Sequence, residues 1–173
     1  SLIHSTPTKT WVIFGAKLCA LSLMQIILLS TIVVLGIIIQ SVRGYYSFEI
    51  GLYIKELYGI QFIGLFIWSL LALSIHTVFK NYFIGFFILL LVSIGQNFLG
   101  SVGIEQIMFK FNQASPTPYS DMNGYGHFLP EYFIYRIYWL ALGVALFISA
   151  YWIFPRGSYP SWKERIIVAK KRI

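Results

Sequence analysis

The run LCALSLMQIILLSTIVVLGIIIQ, Leu18 to Gln40, holds no charged residue. A helix rises ~1.5 Å per residue, so about 20 mostly apolar residues cross the ~30 Å of hydrocarbon in a bilayer. Ile60 to Phe79, Tyr82 to Leu99 and Ile137 to Phe154 are also free of Asp, Glu, Lys and Arg, and each meets or approaches that length. The pattern predicts an all-α integral membrane protein with four transmembrane helices, at about 12–40, 60–79, 82–99 and 133–154.

Composition agrees. The chain is 58% hydrophobic and 11% charged, whereas a soluble domain usually has about 25% charged residues. Lipid or other helices must therefore cover much of the surface. The sequence starts at Ser1 with no signal-peptide pattern. Residues 1–173 are expected to be one transmembrane domain, as a fragment of a longer polypeptide or a processed subunit. The single cysteine, Cys19, falls inside the first span and cannot form an internal disulfide.

The net charge is +7, and its placement argues for topology over nucleic-acid binding. Four spans put both ends on one side. Lys9, Lys17, Lys80 and the tail cations Arg156, Lys163, Arg165, Lys170, Lys171 and Arg172 would share that side. Arg43, Lys55, Lys110 and Arg136 would face the other. Cations flank spans mainly on the cytoplasmic side, so both ends and the basic tail 155–173 are expected there. A tail this basic also suits anionic headgroups. A nucleic-acid face would need a folded basic surface with stacking aromatics, which a short tail does not supply.

The connections differ in length. Lys80-Asn81 makes a tight hairpin between the second and third spans. The far-side loop 41–59 mixes Tyr45, Tyr46, Tyr53 and Tyr58 with Glu49, Lys55 and Glu56, which predicts a short interfacial helix. In the far-side loop 100–132, Ile104, Ile107, Met108 and Phe111 fall at i, i+3, i+4 and i+7. That spacing predicts a short amphipathic helix lying in the interface, dipping back between spans as a re-entrant helix, or packed on the bundle. Pro116 and Pro118 should end it, and Gly124, Gly126 and Pro130 should keep the chain non-helical until the last span.

Catalytic signatures are missing. There is no G-x-x-x-x-G-K-[ST] loop and no H-E-x-x-H pair, and His4, His76 and His127 lie on different segments. No span carries a pair of acid, base or nucleophile residues, so no enzymatic function, metal or cofactor is expected in this segment. Nor does a charge lie deep within a predicted span, where ion-coupled transporters usually place one. Gln25, Ser30, Thr31, Ser69, Ser74, Ser93, Gln96 and Asn97 are read as hydrogen-bonding glue between helices. His76 is expected to snorkel, and Arg136 to anchor the last span through headgroups or Glu131. In Tyr119-Ser120-Asp121-Met122-Asn123-Gly124-Tyr125-Gly126-His127-Phe128, Asp121 and Asn123 suit turns and the glycines suit positive φ. This run is either a capped turn over the bundle or a far-side gate or contact surface anchored by Asp121 and His127.

Ser5-Thr6-Pro7, followed by Gly15 and Lys17 at the head of a long apolar span, resembles the type-2 ABC exporter permeases. In that family an STP segment follows the cytoplasmic coupling helix and a Gly-Lys pair opens the third of six spans. Here Ala16 separates Gly15 from Lys17. The four spans would be the third to sixth of the unit, with the outer re-entrant helices at Ile104 to Ala114. The run Tyr119 to Phe128, then Tyr138-Trp139 and Arg156-Gly157, is similar to a narrower bacterial group, frequent in Bacteroidetes. Its members join a permease-like membrane region to an aminopeptidase N-like zinc peptidase, which would follow Ile173. No zinc ligand or catalytic residue of that domain maps onto this chain.

The resemblance implies part of a permease half in the inner membrane, paired with another half or with the missing spans and driven by a cassette ATPase. Ser5, Thr6, Pro7 and Lys17 would form the segment coupled to that ATPase. Tyr119, Ser120, Asp121, Asn123, Gly124 and His127 would form the far-side loop motif. The alternative is a membrane anchor or scaffold for the fused peptidase, without transport. Besides lipid and these proteins no partner is expected, and no nucleic acid.

Overall fold

The computed structural model describes residues 9–79 and 81–153. The described residues form four main helices: α1 (Thr10–Val42), α2 (Ile50–Val78), α3 (Tyr82–Phe98) and α4 (Phe128–Ile153). Helices α1, α2 and α4 are long and apolar enough to cross a membrane, at 33, 29 and 26 residues. Helix α3 is equally apolar but has 17 residues, or ~26 Å of rise. The apolar runs form helices because a helix satisfies its own backbone groups where neither water nor another strand can.

Glycines close two of these helices. Gly44 has φ +80°, and the Tyr45 and Gly44 amides donate to the Gln40 and Ser41 carbonyls. Gly103 repeats the arrangement at φ +84°, with Ile104 donating to Leu99 and Gly103 to Gly100. Both are Schellman stops, in which a left-handed residue turns the chain away and satisfies the last carbonyls. At the start of α3, the Asn81 side chain accepts from the Phe83 amide at 2.9 Å, a helix N-cap.

The helices run up, down, up and down. Gln25 on α1 bonds Ser69 and Leu65 on α2, and Ser30 bonds Tyr58 at 2.5 Å. Phe14 near the start of α1 meets Phe147 and Tyr151 near the end of α4, ring centroids 5.5 and 5.8 Å apart. The two described ends therefore share one side of the bundle. The tightest seam joins α2 to α4. Ile67 and Leu70 are 0% and 2% exposed, and a Cβ on Gly143 would sit 3.3 Å from Leu70 Cδ1. At the opposite side of α2, the His76 ring packs where a Cβ on Gly85 of α3 would be.

Several boundaries differ from expectation. Helix α2 starts at Ile50, ten residues before the predicted span, so 50–59 is no separate interfacial helix. Its segment Lys55–Gln61 is a π-helix, a widened turn that keeps the helix continuous. Helix α4 starts at Phe128, with Pro130 in its first turn, where the missing N–H costs nothing. The amphipathic helix over 104–111 is absent. Gly103 turns the chain at its start, and only 3₁₀ turns form, at Gly100–Val102 and Ile107–Phe109. The glue reading holds for Gln25 with Ser69 and for Ser30, whereas Thr31 and Ser74 bond carbonyls of their own helices.

Candidate functional site

The loop between α3 and α4 folds back into the α2–α4 seam. Its tip is a turn at Lys110 to Gln113, with Asn112 at φ +58°, a left-handed conformation that asparagine tolerates better than most residues. Phe111 enters edge-on between Trp68 of α2 and Trp139 of α4, 5.1 Å from each. Trp139 lies ~16 Å along α4 from Phe128. The loop thus inserts well below the start of the helix that follows it.

Polar bonds hold this wedge in place. Asn112 Nδ2 donates to the Gly64 carbonyl at 2.9 Å. Arg136 Nη1 donates to the Asn112 carbonyl at 3.0 Å and also to its Oδ1. Trp139 Nε1 donates to the Gln113 carbonyl at 2.9 Å. The Arg136 guanidinium lies 4.8 Å from the centre of the Tyr132 ring, a cation–π contact. A Cβ on Gly64 would stand 3.1 Å from both Arg136 terminal nitrogens. Glycine at this position gives the guanidinium its room.

The π-helical turn is where α1, the loop and α4 converge on α2. Ser30 reaches Tyr58, Tyr132 Oη donates to the Ile60 carbonyl at 2.7 Å, and Tyr125 Oη donates to Glu56 at 2.5 Å. Ile60, Tyr125 and Tyr132 are all buried, with Leu52, Ala114 and Leu129 against them. Burial and the Glu56 carboxylate that accepts its hydrogen bond push the Tyr125 phenol up to about 12.

The sequence-derived candidates fare unequally. Ser5, Thr6, Pro7 and the tail 155–173 lie outside the described residues, as does Lys80. Lys17 is exposed on α1. Gly124 and Gly126 take positive φ, 58° and 52°, as expected. Ser120 and Gly124 exchange backbone bonds of 2.9 and 2.7 Å, closing a tight turn. Asp121, Asn123 and His127 are exposed, and the His127 ring lies beside Phe128. Tyr119 packs edge-on against Tyr125 at 5.2 Å. Tyr125, outside the candidate set, is the member of this run that reaches the core.

Arg136 corrects the reading of it as a headgroup anchor. Helix α4 begins early, so Arg136 lies ~12 Å inside it. Its hydrogen bonds go inward to Asn112 and not to Glu131. A helical signal was present. Tyr132, Arg136, Trp139, Gly143 and Ala150 share one face of α4 at spacings of three, four and seven, and that face packs on α2 and the wedge.

Among the described residues, no group of three or more His, Cys, Asp or Glu side chains comes together to hold a metal ion. Comparison with protein-family models, curated proteins and solved structures returns no match.

Proposed function

We propose that this chain is the membrane-spanning part of an ABC-type transporter permease and works with a separate cassette ATPase. The observation that carries the reading is the wedge. The connection before the last helix folds back between α2 and α4, and in a bilayer it would form a far-side re-entrant element. Non-helical backbone is tolerated at membrane depth only where protein buries it, and here Arg136, Trp139 and Asn112 supply the bonds. In this reading α3 also crosses, which makes four spans, both ends face the cytoplasm, and the membrane is the inner one. The exposed apolar faces of α1 and α3, with Met24 71% and Phe83 83% exposed, are then free for lipid and for the other permease half.

Transport of this kind needs two arrangements of the bundle whose balance ATP shifts. Segment 5–17, described from Lys9 onward at the near end of α1, would meet the ATPase. The wedge and the π-helical turn join α2 to α4 at the far end, so a tilt of α2 would move the far-side closure. The test is purification of the full-length parent protein in mild detergent with ATPase activity assayed on the eluate. A stoichiometric cassette ATPase whose stimulation is lost in Thr6→Arg supports a working permease. A preparation with aminopeptidase activity and no ATPase makes these helices a peptidase anchor. Topology is tested separately on intact cells. Ser120→Cys should react with an impermeant thiol reagent and Ser161→Cys should not; the reverse pattern contradicts the orientation.

A further inference from the structure

The flank of α2 toward α1 and α3 carries an open groove of about 440 Å³ between the three helices. Its wall is apolar, with Leu21, Trp68, Ala72, Phe86 and Leu90 among the lining residues. Three polar side chains, one from each helix, join them: Gln25, Ser69 and Ser93. They share one level, since Ser69 lies ~14 Å along α2 from Val78 and Ser93 ~17 Å along α3 from Tyr82. In a membrane that level is the middle of the hydrocarbon.

The hydrogen bonds at this level are incomplete. Gln25 Nε2 donates to Ser69 Oγ at 2.5 Å and to the Leu65 carbonyl at 3.0 Å, and Ser69 Oγ donates back to Leu65. Gln25 Oε1 is buried without a partner. The Ser93 residue is exposed on the groove, and its carbonyl, not its hydroxyl, takes the bond from Asn97. Unpaired polar atoms surrounded by hydrocarbon are costly, and acyl chains supply no hydrogen bonds. None of the lining residues is charged. Size, an apolar wall and a few convergent polar groups are the marks of a small-molecule site.

The geometry points to an intramembrane binding site for a neutral, membrane-soluble molecule with an apolar body and one hydroxyl group. Its hydroxyl pairs with the exposed Ser93 hydroxyl beside the Gln25–Ser69 pair, and its body lies against Trp68, Phe86 and Leu90. The absence of a charged lining residue sets the preference against a carboxylate or ammonium of the same length. The site stands on its own polar pairing and does not depend on coupling to an ATPase.

The test is photolabelling of the protein in membrane vesicles with a diazirine-bearing octanol, with the matching octanoate as comparator and adducts mapped by mass spectrometry. Saturable labelling of Leu21, Trp68 or Phe86, displaced by unlabelled octanol and weak with the octanoate, is expected. Ser93→Ala should weaken apparent binding about threefold, the worth of one hydrogen bond between helices. Ala72→Phe, which fills the groove and leaves Gln25 and Ser69 paired, should abolish groove labelling. Non-saturable labelling spread equally over the lipid-facing residues Leu28, Phe87 and Ile134 would overturn the site. So would disulfide-linked dimers of a Cys19→Ser, Ser93→Cys variant in the same vesicles, which would assign the groove to a helix of a second copy.

Discussion

The two sides of α2 are built differently. Toward α4, side chains are buried, a glycine admits close approach, and the wedge is pinned by four side-chain bonds. Toward α1, contact rests on a few polar bridges, toward α3 on His76 against Gly85, and large apolar faces stay open. In a membrane there is little hydrophobic drive between helices, so association comes from packing, small residues and hydrogen bonds. The α2–α4 seam has all three along its length. The α1 and α3 flanks have them only at isolated points, which makes them the surfaces where lipid, ligand or another subunit can exchange.

The largest test of that contrast is steric. Gly143→Leu should destabilise the protein by about 3 kcal/mol, because Leu70 and Ile67 leave no room and overpacked cores cost this much. Gly36→Leu on α1, where nothing lies within 4 Å of a new Cβ, should be silent. Thermal unfolding in detergent reads the difference, and equal losses would erase the distinction between seam and flank. Next comes Arg136→Met, which keeps side-chain length but leaves the Asn112 acceptors unpaired. It should cost about 2 kcal/mol and raise protease cleavage of the loop between α3 and α4 while α1 and α3 stay intact. Tyr132→Phe removes one bond, to the Ile60 carbonyl, and should cost about 1 kcal/mol.

A further effect is in pH. Tyr125 is raised from 10.0 to about 12 in the folded chain. The unfolded state therefore loses the phenol proton first, and stability from this group is full below pH 10 and falls as pH rises to about 12. Tyr125→Phe should flatten that part of an alkaline unfolding profile. An unchanged slope would place the Tyr125–Glu56 contact outside the folded seam.

The charge-free runs announced the helices well, because hydrocarbon admits little else. They misplaced ends where a charge or a proline sat inside a helix. Lys55 and Glu56 marked a loop to the eye, yet they occupy the π-helical turn of α2, and Glu56 pairs with Tyr125. Pro130 read as a barrier, yet it falls in the first turn of α4. The spacing of Ile104, Ile107, Met108 and Phe111 covered too few residues to outweigh Gly103, so one aromatic enters the seam where an apolar helix face was expected. The wedge is tertiary. Asn112 meets Gly64 across 48 positions of chain, and nothing local to Asn112 signals that partner.

Hydrogen exchange of the unmodified protein, followed by mass spectrometry, tests the wedge most directly. Amides 109–113 should exchange as slowly as those around Ile67 and Leu70, while amides 119–127 exchange far faster. Exchange of 109–113 at the rate of the outer turn would mean that the loop lies outside the α2–α4 seam.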